Sequence, residues 1–394
     1  MATGTTRIEN YSSAADCAST LECLRRLGVE VSRTAGVVSI AGGGPEAWRG
    51  PGAPLDAGNS GSTLRMLAGA LAGRPFRSVL TGDESLRRRP VERVAAPLRA
   101  MGARALTTDG TAPLTIEGGR LRGLTWETPV ASAQVKTAIL LAGLQAEGET
   151  TVREPFPSRD HTERMLPVFG AAVERSGLST TVRGGARLRG TRVAVPADVS
   201  SAAFLVVAAL VLPDSEVRLE GVLLSPTRTG FLDVLRQMGG DVETRVDSTD
   251  PEPVGVVVAR TSELHGVDVD PALTPSLIDE VPALAVAAAR ARGRFTLGGA
   301  AELRVKESDR IAAIAEGLCR LGARVDERPD GFVIEGGRPL VGALVRAHGD
   351  HRIAMALAVA ALAGRGATEI EDAECVAVSF PEFWGVLARG TGRG

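Results

Sequence analysis

Aromatic residues are scarce in this chain. They make up 3% of its 394 residues, with a single tyrosine and three tryptophans. That excludes the stacking platform on which proteins hold single-stranded nucleic acid. Charge of one sign is missing too: the formal net charge is −2, so no general basic surface exists for nucleic acid or anionic lipid, and any cationic site has to be local. Cysteine and histidine number four each. Cys17, Cys23, Cys319 and Cys375 are scattered, and no HExxH or Cys/His ligand spacing occurs, so no metal site is expected. The same scatter reads as reduced thiols in a cytoplasmic protein. No apolar run reaches the length of a membrane span, and neither a membrane nor a nucleic acid is expected as partner. What is present is ordinary for a soluble globular protein: 44% hydrophobic and 23% charged residues, over a length that suits two domains.

One pattern recurs. A helix with apolar spacing ends in a glycine and passes into a strand, in CLRRLGVEV (from Cys23), PLRAMGARAL (from Pro97), MLPVFGAAVE (from Met165), VLRQMGGDVE (from Val234) and GLCRLGARVDE (from Gly317). The copies lie about 70–80 residues apart, too far for a solenoid, so each is a small αβ unit. A second pattern precedes them: an alanine-rich helix, apolar on nearly all faces and therefore buried, then a turn and a strand. It is seen in residues 63–80, 135–154, 201–221, 282–299 and 352–373. Six units read as three plus three. The expected boundary lies near residues 195–198, giving domains 1–197 and 198–394. GTTRIEN, residues 4–10, is the strand end of this second pattern with no helix before it. The repeat therefore predicts a truncated first unit, with roughly 30 residues upstream of Met1.

Polar turns open the buried helices. The densest is RVKESDR, residues 304–310, which carries Arg304, Lys306, Glu307, Asp309 and Arg310 between a strand (residues 294–297) and an amphipathic helix. Ser308 or Asp309 can cap that helix. Backbone N–H groups and the helix dipole favour anions at such a place. GNSGSTLR (58–65) is a glycine turn feeding a helix, without the GK[ST] ending of a Walker loop. DESLRRRP (83–90), SAQVK (132–136), PSRDHTERM (157–165) and DHRIAM (350–355) behave alike. Singly, each reads as a helix cap or a surface charge. Together they point to one anion-binding cleft.

The set GNSGSTLR, DESLRRRP, SAQVKTAILLAGL, PSRDHTERML, DEVPALAVAAA, ELRVKESDRI, GDHRIAMA and SFPEF resembles, in order and over nearly the whole chain, the shikimate branch of the enolpyruvyl transferase family. The resemblance implies an α/β fold of two domains, each of three repeated βαβαββ-type units with buried helices, closing over the substrates. It implies transfer of the enolpyruvyl group of phosphoenolpyruvate to the 5-hydroxyl of shikimate 3-phosphate, with loss of phosphate. Carried over residue by residue, Gly61, Arg89, Gln134, Arg310 and Arg352 resemble the phosphoenolpyruvate contacts. Ser132, Ala133, Gln134, Ser158, Asp279 and Lys306 resemble those of shikimate 3-phosphate. Asp279 matches the carboxylate at the nucleophilic hydroxyl, and Lys306 and Glu307 match the groups on the proton-transfer side.

These residue types suit the chemistry. Each phosphate carries about −1.5 to −2 charges at neutral pH, and arginine offers bidentate geometry to such groups. Bond formation needs an acid and a base and no metal or redox cofactor. A monomer acting on small-molecule substrates is expected. Ser62 stands where threonine is more usual. The family's opening GDKSxSHR-type motif, with its substrate-binding lysine, is not found. Two alternatives follow: a catalytically impaired anion-binding homologue, and a transferase acting on a UDP-amino sugar, whose cysteine-bearing loop is not seen here.

Overall fold

Among the described residues, five helices stop at a glycine with positive φ and turn into a strand. The glycines are Gly28, Gly102, Gly170, Gly239 and Gly322, with φ between +81° and +111°. The left-handed region is open to glycine at little cost, and it lets the next N–H groups reach back to the last carbonyls. After helix Ala15–Arg26, Gly28 N donates to Arg25 O (2.9 Å) and Val29 N to Leu24 O (3.0 Å). After helix Arg310–Arg320, Gly322 and Ala323 make the equivalent pair to Cys319 and Leu318. This is the recurring helix–glycine–strand pattern of the sequence.

The computed structural model describes residues 1–392; Arg393 and Gly394, the end of the second expected domain, lie outside the described residues. The chain forms two units, Met1–Val195 and Pro196–Gly394. The first holds three four-stranded sheets. In each, an antiparallel trio carries one parallel edge strand: Arg192–Ala194 beside Thr3–Glu9, Leu55–Asp56 beside Arg77–Thr81, and Thr125–Glu127 beside Glu149–Arg153. Helices Gly61–Leu71 and Ala133–Gly143 join two of these parallel pairs, each as a strand–helix–strand crossover. They touch along Gly69, where an added Cβ would meet Ala138 O at 2.0 Å. Beside them opens an apolar cavity of about 470 Å³, lined among others by Leu24, Ile40, Met66, Leu141, Met165 and Phe169.

The second unit holds two three-stranded antiparallel sheets and one parallel pair, Leu344–Arg346 beside Glu369–Glu371, around helices Val199–Val211, Val281–Arg290 and His351–Leu362, each buried along most of its length. Its core joins these three to Phe295, Phe332, Ile311, Ile314 and Leu318. Pro271–Arg290 has the length and hydropathy of a membrane span, but 72% of that window is buried inside the unit. It is therefore a core segment, interrupted by short 3-10 turns at Pro271–Leu273 and Ile278–Glu280. Those turns bring Asp279 to the N-terminal end of the buried helix.

Candidate functional site

In the first unit the polar turns gather at two helix N-termini. Ser60 caps helix Gly61–Leu71 by accepting from Thr63 N. Gly61 begins that helix and faces two guanidinium groups. A Cβ there would stand 2.8 Å from Arg65 Nη1 and 3.5 Å from Arg89 Nη1. Arg89 is buried; its Nη2 donates to Asn59 Oδ1 (2.6 Å) and Ser85 Oγ (3.2 Å), and its Nη1 to Asn59 O (3.3 Å). Its neighbours Arg87 and Arg88 are exposed, and Arg88 pairs with Glu84 at 2.7 Å on the surface. Of the three consecutive arginines, the fold turns Arg89 inward.

Arg65, also buried, donates to Gln134 Oε1 (2.5 Å) and Pro90 O (3.1 Å). Gln134 in turn donates from Nε2 to Ser62 Oγ (2.8 Å). One chain of hydrogen bonds thus links the 58–65 turn, Pro90 and the start of helix Ala133–Gly143. Ser132 caps that helix, accepting from Val135 N, and Ala133 is its first residue. The Ser158 hydroxyl, before helix His161–Val168, is shielded from solvent and lacks a hydrogen-bond partner. A buried hydroxyl left unpaired is costly, and sites for polar ligands are where such groups occur.

In the second unit the charges converge on Arg310, which is 1% exposed. Its Nε donates to Asp350 Oδ2 (2.7 Å), Nη1 to Asp279 Oδ1 (3.2 Å), and Nη2 to Glu307 Oε2 (2.6 Å) and Asp350 Oδ1 (3.3 Å). Burial alone would lower the Arg310 pKa, but Asp350, Glu307 and Asp279 outweigh it and hold the pKa above its ordinary value. Burial likewise pushes the Asp350 carboxyl up, and Arg310 more than reverses this, so its pKa lies below the usual carboxylate range. Lys306 Nζ is 3.4 Å from Asp279 Oδ1. Arg352 Nη1 donates to the Asp279 carbonyl at 2.9 Å, and its Nη2 lies 4.0 Å from Asp279 Oδ2. Asp279, Lys306, Glu307, Arg310 and Arg352 are therefore one cluster.

Not every charge of residues 304–310 joins it. Arg304 turns to Asp309 and Glu327, both at 2.8 Å, on the surface. Asp309 caps helix Arg310–Arg320, accepting from Ala312 N. Asp279 lies one residue before Glu280, which holds the N-cap position of Val281–Arg290 without a side-chain cap. Sequence reasoning missed Asp350 and Asn59, which hold Arg310 and Arg89. Asp350 had a signal, being the acidic residue that caps helix His351–Leu362 through Arg352 N (2.9 Å).

Comparison with known proteins gives the arrangement a context. Residues 1–387 match the family model described as EPSP synthase (3-phosphoshikimate 1-carboxyvinyltransferase). A 3-phosphoshikimate 1-carboxyvinyltransferase from Brevibacillus brevis is 47% identical over 392 residues, covering 99% of this chain and 92% of the relative. One from Halorhodospira halophila is 53% identical, covering 99% and 88%. Among solved structures, an EPSP synthase from Acinetobacter baumannii superposes with a TM-score of 0.87 at 44% identity, covering 99% of this chain and 91% of that one. The enolpyruvyl transferase NikO from Streptomyces tendae, at 22% identity and a TM-score of 0.77 over 99% and 90%, shares the fold.

Proposed function

The chain belongs to the EPSP synthase family and so transfers the enolpyruvyl group of phosphoenolpyruvate to the 5-hydroxyl of shikimate 3-phosphate, releasing phosphate, in aromatic amino acid biosynthesis; we propose that the clustered side chains divide this work by charge. Gly61, Arg89, Gln134, Arg310 and Arg352 are assigned to phosphoenolpyruvate. Ser132, Ala133, Gln134 and Ser158, with Asp279 and Lys306, hold shikimate 3-phosphate.

The reaction needs a new bond from the 5-oxygen to C2 of phosphoenolpyruvate, a proton delivered to C3, and a base for the hydroxyl proton. Phosphate then leaves C2 as C3 gives a proton back. In this proposal Asp279 takes the hydroxyl proton, and Lys306 or Glu307 serves C3. The observation that carries the reading is the setting of Asp279. One carboxylate oxygen lies within 3.4 Å of Lys306 Nζ and 3.2 Å of Arg310 Nη1, with Arg352 on its own carbonyl. The proposed base is thus fixed among the cations that would bind both anionic substrates. Glu307 is the more exposed partner of Arg310, so an incoming carboxylate or phosphate reaches that guanidinium by displacing Glu307.

The test is calorimetry of Arg310→Ala. Losing a hydrogen bond to a charged group costs about 1.5–3 kcal/mol, or roughly 10–150-fold in affinity. That loss is expected for phosphoenolpyruvate, with shikimate 3-phosphate changing by less than about threefold. Equal losses for both would overturn the assignment. The domains 1–197 and 198–394, a monomeric state and a cytoplasmic location belong to the same proposal, and sedimentation of the protein checks the second of these.

A further inference from the structure

The helix that begins at Ala133 buries a lysine. Lys136 lies one turn from the N-cap, its backbone N donating to Ser132 O, and its side chain is 4% exposed. Nζ stands 2.8 Å from Glu154 Oε2 and 2.7 Å from Glu163 Oε1, and both carboxylates are as buried as the lysine. These three residues come from three elements. Glu154 directly follows strand Glu149–Arg153 and precedes the turn that carries Ser158. Glu163 lies on helix His161–Val168, directly after that turn.

Each carboxylate also holds something else. Glu154 Oε1 accepts from Ser132 N at 3.2 Å. Glu163 Oε1 accepts from Thr180 Oγ1 at 3.4 Å. One residue along, Thr137 and Thr162 share a hydrogen bond between the same two helices. A buried ion cluster is a poor way to gain stability, because desolvation offsets most of the attraction and apolar residues of similar volume do as well or better. Two carboxylates against one ammonium are worse still, and Glu163 Oε2 has no hydrogen-bond partner. What the cluster does supply is position. It ties the Ser132 turn, through Glu154, to the segment that leads into and out of Ser158.

We propose that Lys136 is a positioning residue for shikimate 3-phosphate: with Glu154 and Glu163 it sets the spacing between the Ser132–Ala133–Gln134 turn and Ser158. This rests on the assignment of those turns to that substrate. Lys136 itself does not touch the ligand. Through the cluster, the Ser132 N–H and hydroxyl and the Ser158 hydroxyl keep the separation that one bound phosphate or sugar hydroxyl group needs. Misplacement by about 1 Å is enough to lose about a hundredfold in a preorganised site.

The test is steady-state kinetics of three variants against the parent protein. Lys136→Met leaves two carboxylates unpaired. The triple change Lys136→Met, Glu154→Gln, Glu163→Gln removes every charge while keeping the volume, so it folds even where the single variant does not. Lys136→Arg restores the ion pairs. The expected result is a KM for shikimate 3-phosphate raised tenfold or more in the triple variant. The KM for phosphoenolpyruvate and kcat at saturation stay within about threefold, and Lys136→Arg recovers most of the loss. A triple variant with parental KM, or one whose two KM values and kcat fall together without rescue by arginine, overturns the proposal. Ser132→Ala and Ser158→Ala separate the two layers. If they weaken shikimate 3-phosphate and the triple variant does not, the positioning role fails and the substrate assignment stands. If neither serine matters, the assignment itself fails, and this proposal with it.

Discussion

Arg310 and Asp350 meet side by side inside the second unit, Nε to Oδ2 at 2.7 Å and Nη2 to Oδ1 at 3.3 Å, with both side chains shut off from solvent. They are 40 residues apart in sequence, and each begins a helix: Arg310 is the first residue of one, Asp350 the cap of the next. The pair therefore fixes the relative setting of two helix N-termini as well as the aim of the guanidinium.

Asp350→Ala should be among the most damaging single changes in this unit. It strips a fully buried arginine of two hydrogen bonds and removes the cap on Arg352 N. Breaking a buried pair by deleting one partner typically costs about 3–5 kcal/mol. Urea unfolding should show a loss of that size, and Asp350→Asn, which keeps one acceptor and the cap, a smaller one. A midpoint unchanged by either variant would show that Arg310 does not need this partner.

Acid should weaken the fold before ordinary carboxylates titrate. His351, next to Asp350, is buried, and burial lowers its pKa to about 4, a fall that Arg352 and Arg310 deepen and that Asp350 and Glu307 oppose. Below its unfolded value near 6.5 the unfolded chain takes a proton that the folded protein refuses, so stability drops as pH falls from about 6.5 to about 4. The loss over that window is about 3 kcal/mol. Asp350 adds a second, lower phase of the same sign, since its depressed carboxyl stabilises the fold above the unfolded pKa and ceases to as pH falls through the folded one. Unfolding free energies measured at half-unit steps should show the first slope in the parent protein and lose most of it in His351→Gln.

Gly69→Ala tests the close approach of the two buried helices in the first unit. The added methyl would lie 2.0 Å from the Ala138 carbonyl oxygen, a backbone atom that has no rotamer to escape into. The helices must part, at a cost of about 1–3 kcal/mol or more. Thermal unfolding reads this as a drop of several degrees, whereas alanine at the exposed Gly177 or Gly185 meets no neighbouring atom and probes only the positive φ of those turns.

The sequence carried the repeat because its cause is local. A glycine after an amphipathic helix is required wherever the chain turns through positive φ, so the five copies were visible without knowledge of tertiary contacts. The placement of cations at helix starts was legible for the same reason. Which cation faces inward was not. Arg87, Arg88 and Arg89 are equivalent as letters, and it is Pro90 and the short helix Glu84–Arg88 that turn Arg89 into the interior. Arg304 and Arg310 differ likewise: the first lies in a 3-10 turn on the surface, the second on the buried side of a helix. Lys136 is the lone charge of helix Ala133–Gly143, but nothing local to Glu154 or Glu163 marks them as its partners, which only the fold brings together.

Gly61→Ala concerns the proposed phosphoenolpyruvate contacts. The new Cβ would stand 2.8 Å from Arg65 Nη1 and 3.5 Å from Arg89 Nη1. Arg65 can yield, being the far end of a flexible side chain, but its Nη1 donates to Gln134 Oε1 and its Nη2 to Pro90 O. Moving it loosens Gln134, which itself holds Ser62. The fold should survive, because Gly61 opens a helix at an ordinary φ and alanine is a good helix former. Affinity should not. A shifted guanidinium and a methyl group in the space an anion would enter are expected to raise the KM for phosphoenolpyruvate by about tenfold or more, near 1.5 kcal/mol. The KM for shikimate 3-phosphate should change much less. Kinetics with each substrate varied in turn, beside a thermal unfolding curve, separate the two effects. A variant of parental stability and parental KM for phosphoenolpyruvate would remove Gly61 from the site, whereas a variant that loses stability and both affinities alike would place its role in the fold.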